Sequence, residues 1–295
     1  MPTLRRDGIT AVIVQSRIDQ GERDNNWNGA RTLLTSIQQE PAPGLIVFPE
    51  AFSSGVNFII LRQMAEPIPD GPTTTALANL ARETGAHIVA GVLEDGGDRK
   101  VYDSALVLDP AGELIGLYRR RFMWVGERNY VTAGDRPVVV ATALGRIGLI
   151  VGYDLCFPEA TASFLTDEVD VIACPASVFA QLNYNAVRLA RTRAMDSHCY
   201  FLYANAVGFH QFANMAYTGG SGIFVDPYFL QVQLGAAIDP ELGTVSATDG
   251  EPAVVTGLLH LDDLRAARLP TRLPFRGDAA YCLGDPTPAT VPTST

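Results

Sequence analysis

A carboxylate, an arginine cluster and a cysteine are the groups of this chain whose types and spacing suit chemistry. Glu50 ends the apolar run GLIVFPE, directly after Pro49, at the end of a predicted buried strand. In α/β proteins the carboxyl edge of the strands is where sites are built. Because an apolar strand end solvates charge poorly, we expect the pKa of Glu50 to be raised and its side chain to act as a general base. An ordinary surface acid or a helix cap is the alternative.

The second group lies in LYRRRFMWVGERNY, residues 117–130. Three arginines in a row usually mark a solvated face. Here aromatic residues surround them, which favours an arrangement in which part of the run lines a cavity. Arg120 is the central arginine, and Glu127 adds a second acid in the same loop. Guanidinium groups stay charged at any accessible pH and bind carboxylates through paired hydrogen bonds.

The third group lies in LIVGYDLCFPEA, residues 149–160, which predicts a strand, a turn and a helix start. Such an elbow is where many enzymes carry a nucleophile. Gly152 stands at the end of the strand, and Asp154 and Cys156 follow it. A cysteine near a helix N-terminus with arginines nearby has a lowered pKa, so Cys156 is a candidate nucleophile. An inert buried thiol is the alternative.

Alternating apolar strands and amphipathic helices must position these groups, and the pattern predicts an α/β fold with sheets covered on both faces. The predicted strands are 9–15, 44–50, 86–94, a hairpin within 101–121, 145–154, 169–177, 199–208, 220–227 and 254–262. The predicted helices are 24–39, 73–85, 158–168 and 185–198. No composition break divides residues 1–265, which we interpret as one domain. Residues 266–295 are rich in arginine and proline and are predicted to be a C-terminal extension or tail.

Composition excludes several classes of function. The formal net charge of −10 argues against nucleic acid and anionic membranes as partners. The four cysteines and four histidines have no metal-ligand or disulfide spacing, and no glycine-rich loop has phosphate-binding spacing, so we predict no metal and no cofactor. The N-terminal apolar run is too short for a signal peptide, and no run is long enough to span a membrane, so a cytoplasmic protein is expected.

Taken together, the motifs resemble those of the nitrilase superfamily of carbon–nitrogen hydrolases, from about residue 9 to about residue 265. The resemblance rests on VFPE, YRRRF and VGYDLCFPE, and also on the hairpin VYDSALVLDPAGELIGLYRR and the later blocks DVIACPASVF, RTRAMDSHCYFLYANAVG and GGSGIFVDP. It implies a four-layer α-β-β-α sandwich that works on a small-molecule substrate without a cofactor. It also implies assembly as a homodimer or higher homo-oligomer.

The family triad is Glu, Lys and Cys, in which Glu takes the thiol proton, Cys attacks the substrate carbon and Lys stabilises the oxyanion. By resemblance these positions fall at Glu50, Arg120 and Gly152, so two of the three depart from the pattern. Glu127 matches the extra glutamate of many family amidases, and Cys156 matches a position that often faces the substrate. We expect Gly152 to enlarge the cavity that a thiol would occupy. The other residues predicted to contact substrate are Tyr153, Asp154, Ser177 and Phe179.

Four functions are compatible with these departures. The first is non-covalent acid–base chemistry on a small metabolite by Glu50, Arg120 and Glu127, such as a cyclisation, elimination or hydration. The second is a non-catalytic protein that binds a ligand or partner. The third is hydrolysis through Cys156. The fourth is an inactivated variant of an ordinary hydrolase, against which Arg120 argues, because inactivation needs only one change.

Overall fold

The computed structural model describes residues 8–35, 42–164, 166–227, 229 and 244–268. The strands are β1 Ile9–Gln15, β2 Leu45–Val47, β3 His87–Asp95, β4 Val101–Leu108, β5 Leu114–Arg119, β6 Val138–Ala141, β7 Arg146–Leu149, β8 Val171–Ala176, β9 Tyr200–Asn205, β10 Val207–His210, β11 Met215–Thr218, β12 Gly222–Val225, β13 Thr244–Ala247 and β14 Ala253–Leu259. The α-helices are α1 Arg23–Thr35, α2 Leu61–Met64, α3 Pro72–Thr84, α4 Ala180–Ser197 and α5 Leu261–Ala267.

Two six-stranded sheets form the centre of the fold. The first has the order β14-β1-β2-β3-β4-β5, and the second has the order β13-β12-β9-β8-β7-β6. The inner faces of both sheets contribute to one buried apolar cluster, which includes Val47 from the first sheet and Leu202 from the second. A second cluster joins the first sheet to α1 and α3, and a third joins the second sheet to α4. The predicted α-β-β-α sandwich is therefore confirmed.

Strand β4 shows how the fold turns a polar side chain toward the site. Successive side chains of a strand point to opposite faces. Ala105 and Val107 belong to the cluster between the sheets, whereas Leu106 and Leu108 pack on the helix side. Asp103 therefore lies on the inner row, where it is 1% exposed. A carboxylate at such a position requires a partner.

Two predicted elements differ from the structure. The predicted helix 158–168 consists of short 3₁₀ turns at Pro158–Ala160 and Ala162–Phe164. The left-handed backbone of Glu168, with φ of 53°, ends the segment before β8. The predicted strand 199–208 is divided between β9 and β10, and β10 pairs with β11 as a separate hairpin.

Helix α5 is joined to the second sheet by an ion cluster around the buried carboxylate of Asp170. Arg268 donates from Nη1 to Asp170 Oδ1 at 2.8 Å, and Arg265 donates from Nη2 to Oδ2 at 2.9 Å. The backbone N–H of Arg146 adds a third donor at 2.9 Å. Burial raises the pKa of Asp170, but the hydrogen bonds and positive charges of the two side chains lower it overall. Asp170 is thus a firmly ionised anchor.

Some predicted elements extend beyond the residues that the structure describes. Residues 36–39 of the predicted first helix and residues 269–295 of the predicted tail lie outside the described residues. Helix α5 crosses the predicted boundary at residue 265, and the division into domain and tail stays a prediction. Within the described ranges, no helix is both long enough and apolar enough to cross a bilayer.

Candidate active site

Glu50 lies at the junction of the two sheets. It follows β2 of the first sheet, and its backbone N–H donates to the carbonyl of Ala176 at the end of β8 in the second, at 3.4 Å. The residue as a whole is 4% exposed. Gly91 on β3 permits this position, because a Cβ at residue 91 would collide with the Cα of Glu50. The expected place of Glu50, at the end of a buried strand, is therefore where the structure has it.

Three donors surround the Glu50 carboxylate. The backbone N–H and the hydroxyl of Ser177 both donate to Glu50 Oε2, each at 2.7 Å. Arg120 Nη1 lies 3.5 Å from Oε1. Burial raises the pKa of Glu50, but the charge of Arg120, the neighbouring Asp103 carboxyl group and the hydrogen bonds from Ser177 outweigh it and lower the pKa overall. The expectation of a raised pKa is wrong, because the sequence did not reveal the donors that meet at this strand end.

Arg120 brings three acids together. Its Nη1 faces Glu50, its Nε lies 3.1 Å from Asp103 Oδ2, and its Nη2 lies 3.0 Å from Glu127 Oε1. The N–H groups of Nε and Nη2 are not aligned for hydrogen bonds, so these contacts are ion pairs. Burial lowers the pKa of Arg120, but the three negative charges raise it above its usual value. Arg120 is 2% exposed and remains a fixed cation.

Glu127 is the member of this cluster nearest to solvent. It lies in the loop after β5, and its side chain is 13% exposed, against 5% for Glu50. The backbone N–H of Trp124 donates to its Oε2 at 3.0 Å. A bound molecule that enters the site from solvent would meet Glu127 first.

Asp103 is the site residue that the sequence analysis missed. Burial raises its pKa well above the usual value, and the negative charge of Glu50 acts in the same direction. The signal available in the sequence was an acid in the middle of VYDSALVL, at a position that the alternation of the strand assigns to the core. Its partners Glu50 and Arg120 come from other strands, so the residue types near Asp103 in the chain do not reveal them.

Gly152 does not open a cavity beside Glu50. It begins the 3₁₀ turn Gly152–Cys156 with φ of +45°, a left-handed conformation that favours glycine. A Cβ at this position would lie 2.5 Å from Glu50 Oε2 and 3.0 Å from Oε1. The Glu50 carboxylate therefore occupies the space that a side chain at position 152 would need. The expectation that Gly152 enlarges the cavity is wrong.

Cys156 is displaced from this cluster. It is the last residue of the 3₁₀ turn, and it is exposed. Partial burial among its neighbours still raises the pKa of its thiol, with Asp154 adding to the shift, and the charge of Arg193 compensates only in part. The expected lowering of the pKa of Cys156 is wrong, because no α-helix begins here and the thiol lies at the far end of a short turn. Of the described hydrogen bonds and ion pairs, none joins Cys156 to Glu50.

Asp154 holds the elbow against the loop that carries Arg120. Its carboxylate accepts hydrogen bonds from the Tyr118 hydroxyl at 2.6 Å and from the backbone N–H groups of Val151 at 3.1 Å and Phe122 at 2.9 Å. Burial raises the pKa of Asp154, although these donors oppose the shift. Asp154 is fully buried, so its contacts are those of a structural link. Its predicted role in substrate binding stays a prediction.

The aromatic candidates lie on either side of the cluster. Tyr153 packs edge-to-face on Phe157, with ring centroids 5.2 Å apart. Phe179 precedes α4 and stacks on Tyr217 of β11 at 4.9 Å. A cavity of about 270 Å³ opens beside the segment that carries Arg120. It is lined by Arg121, Phe122, Met123, Arg128, Ala133 and Phe157. Across the described ranges, no group of three or more His, Cys, Asp or Glu side chains is arranged to hold a metal ion.

Comparison with known proteins places the chain in a family. The family model described as "Carbon-nitrogen hydrolase" matches residues 10–268. The chain belongs to the carbon–nitrogen hydrolase family. Within it, the chain is 35% identical to a nitrilase of Pyrococcus abyssi over 204 residues, which cover 68% of this chain and 76% of that protein. It is 30% identical to an (R)-stereoselective amidase of Pseudomonas sp., with 83% of each covered.

A solved carbon–nitrogen hydrolase superfamily structure from Xanthomonas campestris has the same fold. The two superpose with a TM-score of 0.79 at 22% identity, over 92% of this chain and 97% of the other. At this identity the likeness concerns the fold alone. In the present family member, the structure brings Glu50, Arg120, Glu127, Gly152 and Ser177 together and leaves Cys156 apart.

Proposed function

We propose that this member of the carbon–nitrogen hydrolase family acts on a small metabolite by non-covalent acid–base chemistry, without a thioester. The observation that supports the proposal best is the position of the Glu50 carboxylate against Gly152. A Cβ there would lie 2.5 Å from Glu50 Oε2, so in this arrangement the Glu50 carboxylate occupies the place that a side chain at position 152 would take. Without a nucleophile, the covalent route of a coupled triad is lost almost completely.

The remaining groups suit proton transfer and charge stabilisation. Glu50 is ionised and can accept a proton. Arg120 is a permanent cation that can stabilise negative charge on a substrate, although it cannot give up a proton. Glu127 is the acid with access to solvent. A cyclisation, elimination or hydration needs no more than such groups in a fixed arrangement.

The first test is a search for hydrolysis and for covalent intermediates. Amide, nitrile and N-carbamoyl compounds are incubated with the protein, product is measured, and the intact protein is weighed by mass spectrometry. We expect no hydrolysis and no adduct on any thiol. A substrate-derived adduct that forms and decays at a competent rate would overturn the proposal. The variant C156A identifies the thiol if an adduct appears, and it would then support hydrolysis through Cys156.

The second test looks for turnover. The protein is mixed with a library of small metabolites, and losses and products are followed by mass spectrometry. The variant E50Q keeps the shape of the side chain but cannot accept a proton. We expect a metabolite that E50Q binds with unchanged affinity but does not convert. A metabolite converted equally by both proteins would contradict the role of Glu50.

Ligand binding without catalysis is the second candidate function. One observation favours it, namely that Arg120 already has a carboxylate against each of its three guanidinium nitrogens. An arginine whose charge is already compensated by carboxylates of its own chain can be a fold-stabilising remnant. A metabolite that co-purifies and is never converted, in the unmodified protein or in E50Q, would support this function. An inactivated variant of an ordinary hydrolase explains Gly152 but not Arg120.

We further propose that the protein is cytoplasmic and forms a homodimer or higher homo-oligomer. The support for assembly is the resemblance to the family, together with exposed apolar side chains on α4. Leu182 and Tyr184 are 47% and 67% exposed. Light scattering on the purified protein gives the molecular mass, and a mass of one chain at all concentrations would contradict assembly.

A further inference from the structure

The cluster around Arg120 contains more negative than positive groups. Glu50, Asp103 and Glu127 face one guanidinium, and within the cluster only Glu127 has appreciable access to solvent. Three ionised carboxylates beside one cation would leave two uncompensated negative charges in a dry site. Neighbouring carboxylates in such surroundings do not all ionise, and one of them keeps its proton.

The hydrogen-bond donors identify which acid keeps the proton. Glu50 receives two hydrogen bonds from Ser177 and faces Arg120. Glu127 receives the backbone N–H of Trp124 and is partly solvated. Asp103 is buried, and neither of its oxygens accepts a hydrogen bond from the described residues. Its one cationic neighbour among those residues, Arg120 Nε, is not aligned to donate. The ionised form of Asp103 is therefore the least stabilised of the three.

We propose that Asp103 is a neutral carboxylic acid that donates its hydrogen to the Glu50 carboxylate, so that one proton is held between these two side chains. Asp103 and Glu50 face two nitrogens of the same guanidinium, Asp103 Oδ2 at 3.1 Å from Nε and Glu50 Oε1 at 3.5 Å from Nη1, which brings the two carboxyl groups next to each other. When ionised, Asp103 has no aligned donor for its oxygens among the described residues. When protonated, Asp103 gains an acceptor for its O–H group. It also becomes a further donor to Glu50, which is thereby kept ionised and oriented.

Other titratable groups near Asp103 fit this assignment. Arg120 comes from the segment after β5 and Glu127 from the following loop. Tyr217, from β11, has its pKa raised by burial and by nearby negative charge, so it stays a neutral hydroxyl that hydrogen-bonds to Ser177. The Glu94–Arg119 pair lies on the opposite face of the sheet, because those residues alternate with the inner row. Arg120 therefore supplies the only full positive charge among these neighbours.

Asp103 acts through Glu50 and is a positioning residue. The role of Asp103 in the reaction rests on the proposed function, whereas its protonation state does not. The test therefore uses folding stability, which is measurable without a substrate. Asn has the shape of a protonated Asp, and its N–H can replace the donated hydrogen. We expect D103N in the full-length protein to fold and to be about as stable as the unmodified protein near pH 4.

The pH dependence gives the decisive sign. The folded state keeps a proton on Asp103 that the unfolded chain releases above pH ~4, so the unmodified protein loses stability as the pH rises. Relative to the unmodified protein, the unfolding equilibrium constant of D103N should fall by up to about tenfold per pH unit above that point, until Asp103 ionises in the folded state. If Asp103 were instead the ionised partner of Arg120, D103N would be less stable at pH 7 and would recover toward pH 4, which would overturn the proposal.

A matched control variant and a second measurement test whether Asp103 is protonated. D170N removes a buried acid that is already ionised, so the stability lost in D170N should stay constant between about pH 5 and pH 8. Infrared spectroscopy at pH 7 should detect a protonated carboxyl group that disappears in D103N and persists in D154N. A band unchanged in D103N would overturn the proposal even if the variant were unstable. If the pH dependence appears but no metabolite is ever converted, the proton assignment stands and the proposed function fails.

Discussion

Two ion clusters in this protein, each built on a buried side chain, have opposite charge ratios. Around Arg120 three carboxylates share one guanidinium, whereas around Asp170 two guanidinium groups share one carboxylate. Arginine cannot give up its proton, so the Asp170 cluster has a single state of ionisation at working pH. Carboxylates can gain protons, so the Arg120 cluster has several.

The comparison separates an anchor from a site that can exchange protons. The Asp170 cluster joins α5 to the second sheet and lowers the pKa of its acid. The Arg120 cluster raises the pKa of Asp103 and lowers that of Glu50, so two neighbouring acids differ in ionisation. Such a difference between paired acids is typical of acid–base sites. The following variants test it, from the largest expected effect to the smallest.

Replacing Arg120 with Met should have the largest effect. R120M leaves three carboxylates without a cation, and removing one partner of a buried ion cluster costs about 4 kcal/mol of unfolding free energy at pH 7. The loss should be smaller at pH 5, because the carboxylates then take up protons. Urea unfolding at both pH values measures it. R128M, which removes an exposed arginine, should stay within about 0.5 kcal/mol of the unmodified protein. An equal loss at both pH values for R120M would contradict the electrostatic explanation.

Replacing Asp170 with Asn should cost about 3 kcal/mol at pH 7, since two guanidinium groups lose their shared anion. The pKa of Asp170 is lowered in the folded state, so its stabilisation is present above the unfolded value near 3.8 and is lost as the pH falls through the folded value. Urea unfolding from neutral to acidic pH should show the two proteins converging below about pH 4. A loss that persists unchanged in acid would indicate a packing effect.

Replacing Gly152 with Ala should destabilise the protein by about 2 kcal/mol, because the left-handed backbone is strained by a Cβ that also meets the Glu50 carboxylate. Gly85 supplies the matched control. It has φ of +69°, and a Cβ there would meet nothing within 4 Å. G85A should therefore lose only about 1 kcal/mol. Thermal or urea unfolding of both variants isolates the collision with Glu50, and equal losses would mean that Glu50 moves aside freely.

Replacing Cys156 with Ala should have the smallest effect. The thiol is exposed and lies outside the Arg120 cluster, so unfolding free energy should change by less than about 0.5 kcal/mol. Any metabolite conversion found for the unmodified protein should persist. Loss of conversion in C156A, with stability unchanged, would move the chemistry from Glu50 to the thiol.

The sequence predicted the parts of the fold and site that depend on local pattern. Strand β1 was predicted at residues 9–15, and the structure has Ile9–Gln15. The approach of Glu50, Arg120 and Gly152 to one another was also predicted, since each follows a strand in a motif that resembles the family. The helix predicted at residues 158–168 failed, because its apolar spacing fits successive 3₁₀ turns equally well.

The place of Asp103 in the site and the lowered pKa of Glu50 could not be predicted from the sequence, for one physical reason. Both depend on side chains from separate strands that meet only after the two sheets pack. Alternation along β4 shows that Asp103 points inward, but it does not show that Arg120 and Glu50 lie beside it. The sign of a pKa shift follows from the balance of burial against donors, and that balance requires distances.

The hydrogen bonds of Glu50 join the two sheets of the sandwich. The backbone of Glu50 is bonded to the second sheet, while its side chain is bonded to Ser177, the next residue along that sheet's chain. Glu50 therefore connects the two sheets through both its backbone and its side chain. A cysteine introduced at position 152 would displace the Glu50 carboxylate, so it would also disturb the hydrogen bonds by which Glu50 joins the two sheets.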